Sequence, residues 1–118
     1  MTQVKDKTDQ QLNRALAELM GWTDFKEDAH GGTWATAPDY RWTNKRPDYC
    51  SDPAASLEVQ AKAIEVDASN FINRLAWIVR DRISGDMEWT NNDIVVLLNA
   101  SPRERAEAAY ITLQGAQK

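Results

Sequence analysis

The sequence has little of what most enzymatic and metal chemistry uses: one cysteine, Cys50, and one histidine, His30, in 118 residues. A single cysteine excludes an intrachain disulfide, so nothing points to secretion. One histidine and one cysteine leave a structural zinc short of ligands. No apolar stretch approaches the roughly 18 to 20 residues of a transmembrane helix. Met1 to Lys7 is polar and lacks the apolar centre of a signal peptide. The expectation is a cytoplasmic protein with no membrane contact. There is no basic excess either. A net charge of −4 argues against a general nucleic-acid binder, which needs cations to displace the counterions of phosphate. Long acidic runs are missing too, which excludes a DNA mimic, and there are no internal repeats. Gly31-Gly32 lacks the following Lys-Ser/Thr of a phosphate-binding loop.

What is present is ordinary for a folded domain, with one exception. Apolar residues make up 42% and charged residues 27%, far from a disordered composition. The length suits a single domain over residues 1–118, long enough to bury roughly two thirds of its unfolded surface. The exception is five tryptophans, more than a chain of this length needs.

Thr8 to Met20 reads as a helix. Leu12, Ala15, Leu16, Leu19 and Met20 form an apolar stripe, Thr8 with Gln11 fits a capping box, and Gly21 sits where a left-handed cap ends it. Trp22 to Tyr49 has no long apolar period. Gly31-Gly32 signals a turn, and Thr33–Thr36 with Tyr40–Thr43 could form a hairpin around Ala37-Pro38-Asp39. Asp52-Pro53 starts a second helix with Leu57, Ala61 and Ile64 on its stripe. Phe71 to Ser84 predicts a third, ended by Gly85 and capped by Asp67 or Ser69. Equally, one helix could run through from residue 53. Ile94 to Leu98 suits a buried strand or a short buried helix; the capping-box pattern of Thr90 and Asp93 favours helix, while Ile94-Val95-Val96 favours strand. Ser101-Pro102-Arg103-Glu104 opens the last helix, with Ala106, Ala109, Tyr110 and Leu113 buried and Gly115 closing it.

The order of these segments carries a resemblance. A first helix ends in Met20-Gly21-Trp22. An aromatic stretch with Trp34 follows, then Pro47-Asp48-Tyr49-Cys50-Ser51-Asp52-Pro53-Ala54-Ala55 leads into a helix. The chain closes with Asn99-Ala100-Ser101-Pro102-Arg103-Glu104-Arg105-Ala106-Glu107-Ala108-Ala109. Over nearly its whole length this layout resembles the phage ABA sandwich domain family of small phage and prophage proteins. The resemblance implies a helix–sheet–helix sandwich working in the cytoplasm of a bacterial host. It brings no established activity, hence no catalytic residues and no cofactor. The chain departs from the pattern in residues 66–98, which read as mainly helical where the sandwich would want strands.

Several constellations could carry chemistry. Asp24, Glu27, Asp28 and His30 could ligate a metal, but a solvated acidic turn explains them better. Cys50 and His30 could pair as thiolate and base, and a place near the second helix start could lower the Cys50 pKa. Nothing in the sequence places the two together, and a lone cysteine is usually a packing residue. The most suggestive cluster is aromatic and basic: Trp34, Tyr40, Arg41, Trp42, Lys45, Arg46 and Tyr49. These residue types stack on nucleotides, pair with anions and dominate protein interfaces. Alternatively Trp34, Trp42 and Tyr49 are core beneath a loop. Trp77 falls opposite the stripe of its helix, beside Arg74, Arg80 and Arg82, which makes it either a contact residue or part of a second buried layer.

The sequence therefore predicts an α+β fold, predominantly helical, with a short antiparallel sheet over residues 33–43. It predicts no enzyme, no metal and no cofactor. The expected role is binding through Trp34, Tyr40, Arg41, Trp42, Lys45, Arg46 and Trp77. The partner is a host protein or a second copy, with action against a bacterial defence system as one version. The alternative is a small nucleotide-like ligand held in an aromatic–basic pocket.

Overall fold

A computed structural model describes residues 4–85 and 88–116. It has four helices, α1 (Asp9–Leu19), α2 (Pro53–Ile78), α3 (Asn91–Leu98) and α4 (Pro102–Ala116), and three strands, β1 (Thr23–Glu27), β2 (Thr33–Thr36) and β3 (Trp42–Thr43). The architecture is a small, predominantly helical α+β fold. The strands form one antiparallel sheet in the order β1-β2-β3.

The first helix forms where its caps are strongest. Thr8 Oγ1 accepts the Gln11 N–H at 3.1 Å, and Gln11 Oε1 accepts the Thr8 N–H at 2.9 Å. At the other end Gly21, at φ 99°, lets the Trp22 N–H reach back to the Ala17 carbonyl at 2.9 Å and the Gly21 N–H to that of Glu18 at 3.1 Å. That pair of bonds needs a residue in the left-handed region.

The sheet is one strand larger than expected. β1 has a single half-buried residue, Phe25, and otherwise polar exposed positions, so it shows no apolar alternation. Its register on β2 slips between Thr23 and Lys26, where Asp24 adopts φ 58°. The β1–β2 turn is organised by Asp28. Its Oδ1 accepts the backbone N–H groups of His30 and Gly32, each at 2.8 Å. A Cβ added at Gly32 would meet Asp28 Oδ2 at 2.8 Å, so a side chain there would force the Asp28 carboxylate to shift.

α2 resolves the one-or-two question in an intermediate way. It is continuous by hydrogen bonding but broken in dihedral angle at Asp67, whose carboxylate accepts the Asn70 N–H at 3.1 Å and caps the second half. The second half stops at Ile78, short of the expected Ser84. Arg80 Nη1 donates to the Trp77 carbonyl at 2.8 Å, satisfying the helix end, and a 3₁₀ turn (Arg80–Arg82) leads into extended Ile83. The last helix passes through Gly115 to Ala116 rather than closing at the glycine.

The core sits where α4 packs extensively on α2 and also contacts α1. Ala106, Ala108, Ala109 and Leu113 of α4 meet Val59, Ala63, Phe71 and Leu75 of α2 and Leu12 and Leu16 of α1. Small residues at these positions let the helix backbones approach closely. Ala35 of β2 and the following Ala37 join the same core. Arg103 ties the N-terminal segment down: its Nη2 donates to the Lys7 carbonyl at 2.7 Å and its Nε to Glu107 at 2.7 Å.

α3 is a helix, started by the Thr90–Asp93 capping box, but it is not buried as expected. Its buried residue is Asp93, while Ile94, Val95 and Leu98 are exposed. Asp93 takes the inward position because its carboxylate accepts the backbone N–H of Ser84 at 2.8 Å, the Ser84 hydroxyl at 2.7 Å and the Thr90 N–H at 2.9 Å.

Candidate functional site

Alternation along the strands sorts the aromatic–basic cluster into parts. Thr36 lies opposite Trp42 and Lys26 opposite Trp34, so both tryptophans share the face away from buried Ala35. Their rings stack at 5.9 Å between centroids with planes 18° apart. The Trp34 indole N–H donates to Asp28 Oδ2 at 3.1 Å, which fixes the half-buried ring, while Trp42 above it is 50% exposed. These bonds from Gly32, His30 and Trp34 hold the Asp28 carboxyl below its ordinary pKa.

The β2–β3 turn carries Tyr40 and Arg41. The Tyr40 N–H closes on the Ala37 carbonyl at 2.8 Å, and Tyr40 itself sits at φ 69° with 90% of its surface exposed. Arg41 donates through Nε to Asp39 at 2.7 Å, so its charge is matched within the turn, and that pairing lowers the Asp39 pKa. Lys45 is exposed, its backbone N–H held by Thr43 Oγ1 at 3.0 Å. Tyr49 is core.

Arg46 belongs to a different place. A cleft of about 540 Å³ lies between α1, the β1–β2 turn and residues 44–48, lined by Gln10, Asn13, Arg14, Thr33, Asn44 and Arg46 among others. Two guanidiniums lie against one ring there: Arg14 is 3.8 Å and Arg46 5.8 Å from the Phe25 centroid. Arg14 also pairs with Glu18 at 2.9 Å. Among the described residues Arg46 pairs with no carboxylate, and its buried Nε has no hydrogen-bond partner. Burial, and then the neighbouring Arg14, push the Arg46 pKa below its ordinary value. The structure thus separates the expected cluster. Trp34, Tyr40, Arg41, Trp42 and Lys45 do not line the cleft, and Arg46 does.

Trp77 lies on neither of these surfaces. It is 62% exposed beneath the Arg80 guanidinium, 4.1 Å from the ring centroid. It lines a depression of about 330 Å³ with Lys5, Arg74, Ile78, Arg80 and Tyr110.

The nucleophile and metal constellations are accounted for by local bonding. Cys50 is buried, its N–H donates to Asn13 Oδ1 at 3.1 Å and its Sγ lies 3.7 Å from the Asp9 carbonyl. Burial pushes its thiol up to about 11, against the lowering influence of Arg103, so the helix start does not activate it. His30 is exposed in the β1–β2 turn and shares no hydrogen bond with Cys50. Among the described residues no group of three or more His, Cys, Asp or Glu side chains is placed to hold a metal. No helix described is long and apolar enough to cross a membrane.

Sequence reasoning did not single out Arg14, Phe25 or the exposed face of α3. The α3 face had a signal. Five consecutive apolar residues run more than once round a helix of 3.6 residues per turn, so a short surface helix must expose some of them. Phe25, alone between Asp24 and Lys26, had only the weak signal of one aromatic on a polar strand.

No protein-family model matches the chain, and neither curated proteins nor solved structures give a match.

Proposed function

We propose that this chain is a non-enzymatic binding protein that docks a protein partner through exposed aromatic and aliphatic side chains. The observation that supports it is where the large side chains lie. The helix interface is built on alanine (Ala63, Ala106, Ala108, Ala109), whereas Trp42, Trp77 and Trp89 are exposed, as are Tyr40 and the α3 residues Ile94, Val95 and Leu98. Burying aromatic surface is among the strongest contributions a fold has, and Trp, Tyr and Arg supply most of the energy of protein interfaces. A chain that leaves three of its five tryptophans exposed has that energy left for a partner. A raised Cys50 thiol and a carboxylate on Asp28 committed to turn bonds weigh against catalysis by either group.

In the phage or prophage setting that the resemblance implies, the partner is a host protein, with interference in a bacterial defence system as one form of the activity. Affinity capture from bacterial lysate, compared across wild type, Trp42→Ala, Trp77→Ala and Leu98→Glu, tests this. The expected result is a partner retained by wild type and weakened at least ~10-fold in one of the three variants. Capture that is identical in all four proteins removes the reading. A concentration-dependent dimer lost in the same variants makes the partner a second copy of the chain.

A further inference from the structure

We propose that the cleft between α1, the β1–β2 turn and residues 44–48 binds a small organic anion, with Arg46 and Arg14 holding its phosphate or carboxylate. The argument begins with an unbalanced charge. Arg46 is half-buried, has a buried Nε with no partner, and meets no carboxylate among the described residues. A desolvated cation without a counterion is costly, and a second cation nearby adds to the cost. Here the second cation is Arg14, against the same Phe25 ring and itself paired with Glu18, which leaves Arg46 as the cation without a carboxylate. An arriving anion relieves both costs, and guanidinium groups suit phosphate and carboxylate oxygens.

The rest of the cleft sets the kind of anion. Its volume of about 540 Å³ is far larger than one inorganic ion requires and falls within the usual range of small-molecule sites. Gln10, Asn13, Thr33 and Asn44 in its lining offer donors and acceptors to a polar ligand body. Glu27 and Asp48 also line it, and Asp48 Oδ1 already accepts Asn13 Nδ2 at 2.9 Å. These carboxylates disfavour a polyanion and provide acceptors for ligand hydroxyl or amine groups. The ligand class is therefore an organic molecule with one anionic group and several hydrogen-bond donors.

The test is thermal melting with adenosine monophosphate, D-gluconate and inorganic phosphate as probes, each against sodium chloride of equal ionic strength. The expected result is that adenosine monophosphate or gluconate, which carries one carboxylate and several hydroxyls, raises Tm by ~4 °C at about ten times its Kd, and inorganic phosphate by less. A response to the nucleotide alone identifies phosphate as the recognised group; a response to gluconate alone identifies carboxylate. Arg46→Gln is expected to abolish the rise, Arg14→Gln to weaken Kd ~10-fold, and Arg41→Gln, whose guanidinium is paired with Asp39, to keep it. Unliganded Arg46→Gln is expected to melt at or above the wild-type temperature, because it removes a half-buried cation that pairs with no carboxylate among the described residues. Absence of any shift beyond the salt control, an unchanged response in Arg46→Gln, or an Arg46→Gln protein that melts well below wild type or fails to fold would each overturn the proposal. Low melting or failure to fold of Arg46→Gln would make Arg46 a structural residue.

Discussion

Asp93 accepts hydrogen bonds from both the backbone N–H and the hydroxyl of Ser84, at 2.8 and 2.7 Å, across the segment that joins α2 to α3. The same carboxylate also caps α3 by accepting the Thr90 N–H. One side chain thus helps hold a short helix of which Leu97 packs against the core while Ile94, Val95 and Leu98 are exposed.

The first prediction follows from these bonds. Hydrogen bonding by Ser84 and Thr90 pulls the Asp93 pKa down to about 2 from its ordinary value near 3.8. A depressed carboxylate contributes stability that is complete above its unfolded pKa and disappears as pH falls through the folded one. Wild-type stability is therefore expected to fall between about pH 4 and pH 2. Asp93→Ala is expected to lower Tm by about 5 °C at pH 7, and the gap between the two proteins should close as pH drops. Melting curves at several pH values read this directly. A gap that stays constant down to pH 2 would show that the carboxylate charge does not hold α3.

Cys50 and Tyr49 predict the opposite limb of the profile. Burial raises the Cys50 thiol to about 11 and the Tyr49 phenol to about 12. A raised acid contributes stability that is present below its unfolded pKa and lost as pH rises through the folded one. Stability is expected to decline from about pH 9 upward and to keep falling to about pH 12. At pH 8 the buried thiol should react with Ellman's reagent at least ~100-fold more slowly in the native protein than in denaturant. Fast native labelling would mean that Cys50 is neither buried nor protonated as described.

These groups mark how much of the molecule was legible from sequence. The caps of α1, α3 and α4 were readable because a cap is a local pattern, and Thr8–Gln11 and Thr90–Asp93 bond as their spacing implied. The hairpin of β2 and β3 was readable for the same reason. β1 was not, because Thr-Asp-Phe-Lys-Glu has a single apolar residue, Phe25, and so no alternating pattern of its own; it is held by pairing with β2. The end of the second half of α2 was misplaced because Val79 and Ile83 continue the apolar stripe, while the chain is drawn away by the Ser84–Asp93 bonds. For the candidate sites, the residue types of the aromatic–basic cluster could be seen but not their separation. Pairing Arg41 with Asp39 and turning Arg46 towards Phe25 depends on which side of a two-residue strand each one leaves.

Tyr40 offers a test of function against stability. At φ 69° it occupies a conformation that costs a bulky residue energy and a glycine almost nothing. Its side chain is exposed, so little packing offsets that cost. Tyr40→Gly is therefore expected to stabilise the fold, or leave it unchanged within about 1 kcal/mol, by chemical denaturation. If the aromatic ring is kept for a partner, the same variant should weaken capture of that partner. A variant that loses stability and keeps binding would place Tyr40 in the fold's own structure instead.

The exposed face of α3 separates a binding surface from a core in a single pair of variants. Leu98 is 71% exposed and lies with Ile94 and Val95 on one side of the helix, at spacings of four and three residues. Leu113 on α4 is buried in the α2–α4 interface. Leu113→Ala removes packed methyl groups and is expected to cost about 2–5 kcal/mol. Leu98→Glu leaves the core intact and is expected to change stability by no more than about 0.5 kcal/mol. It should nevertheless remove an apolar contact from any partner seated on α3 and put an unpaired charge in its place, which costs more than the lost contact alone. Urea denaturation of both variants, together with capture by Leu98→Glu, separates these effects. If Leu98→Glu unfolds as readily as Leu113→Ala, α3 is part of the core and the exposed apolar face is not a docking surface.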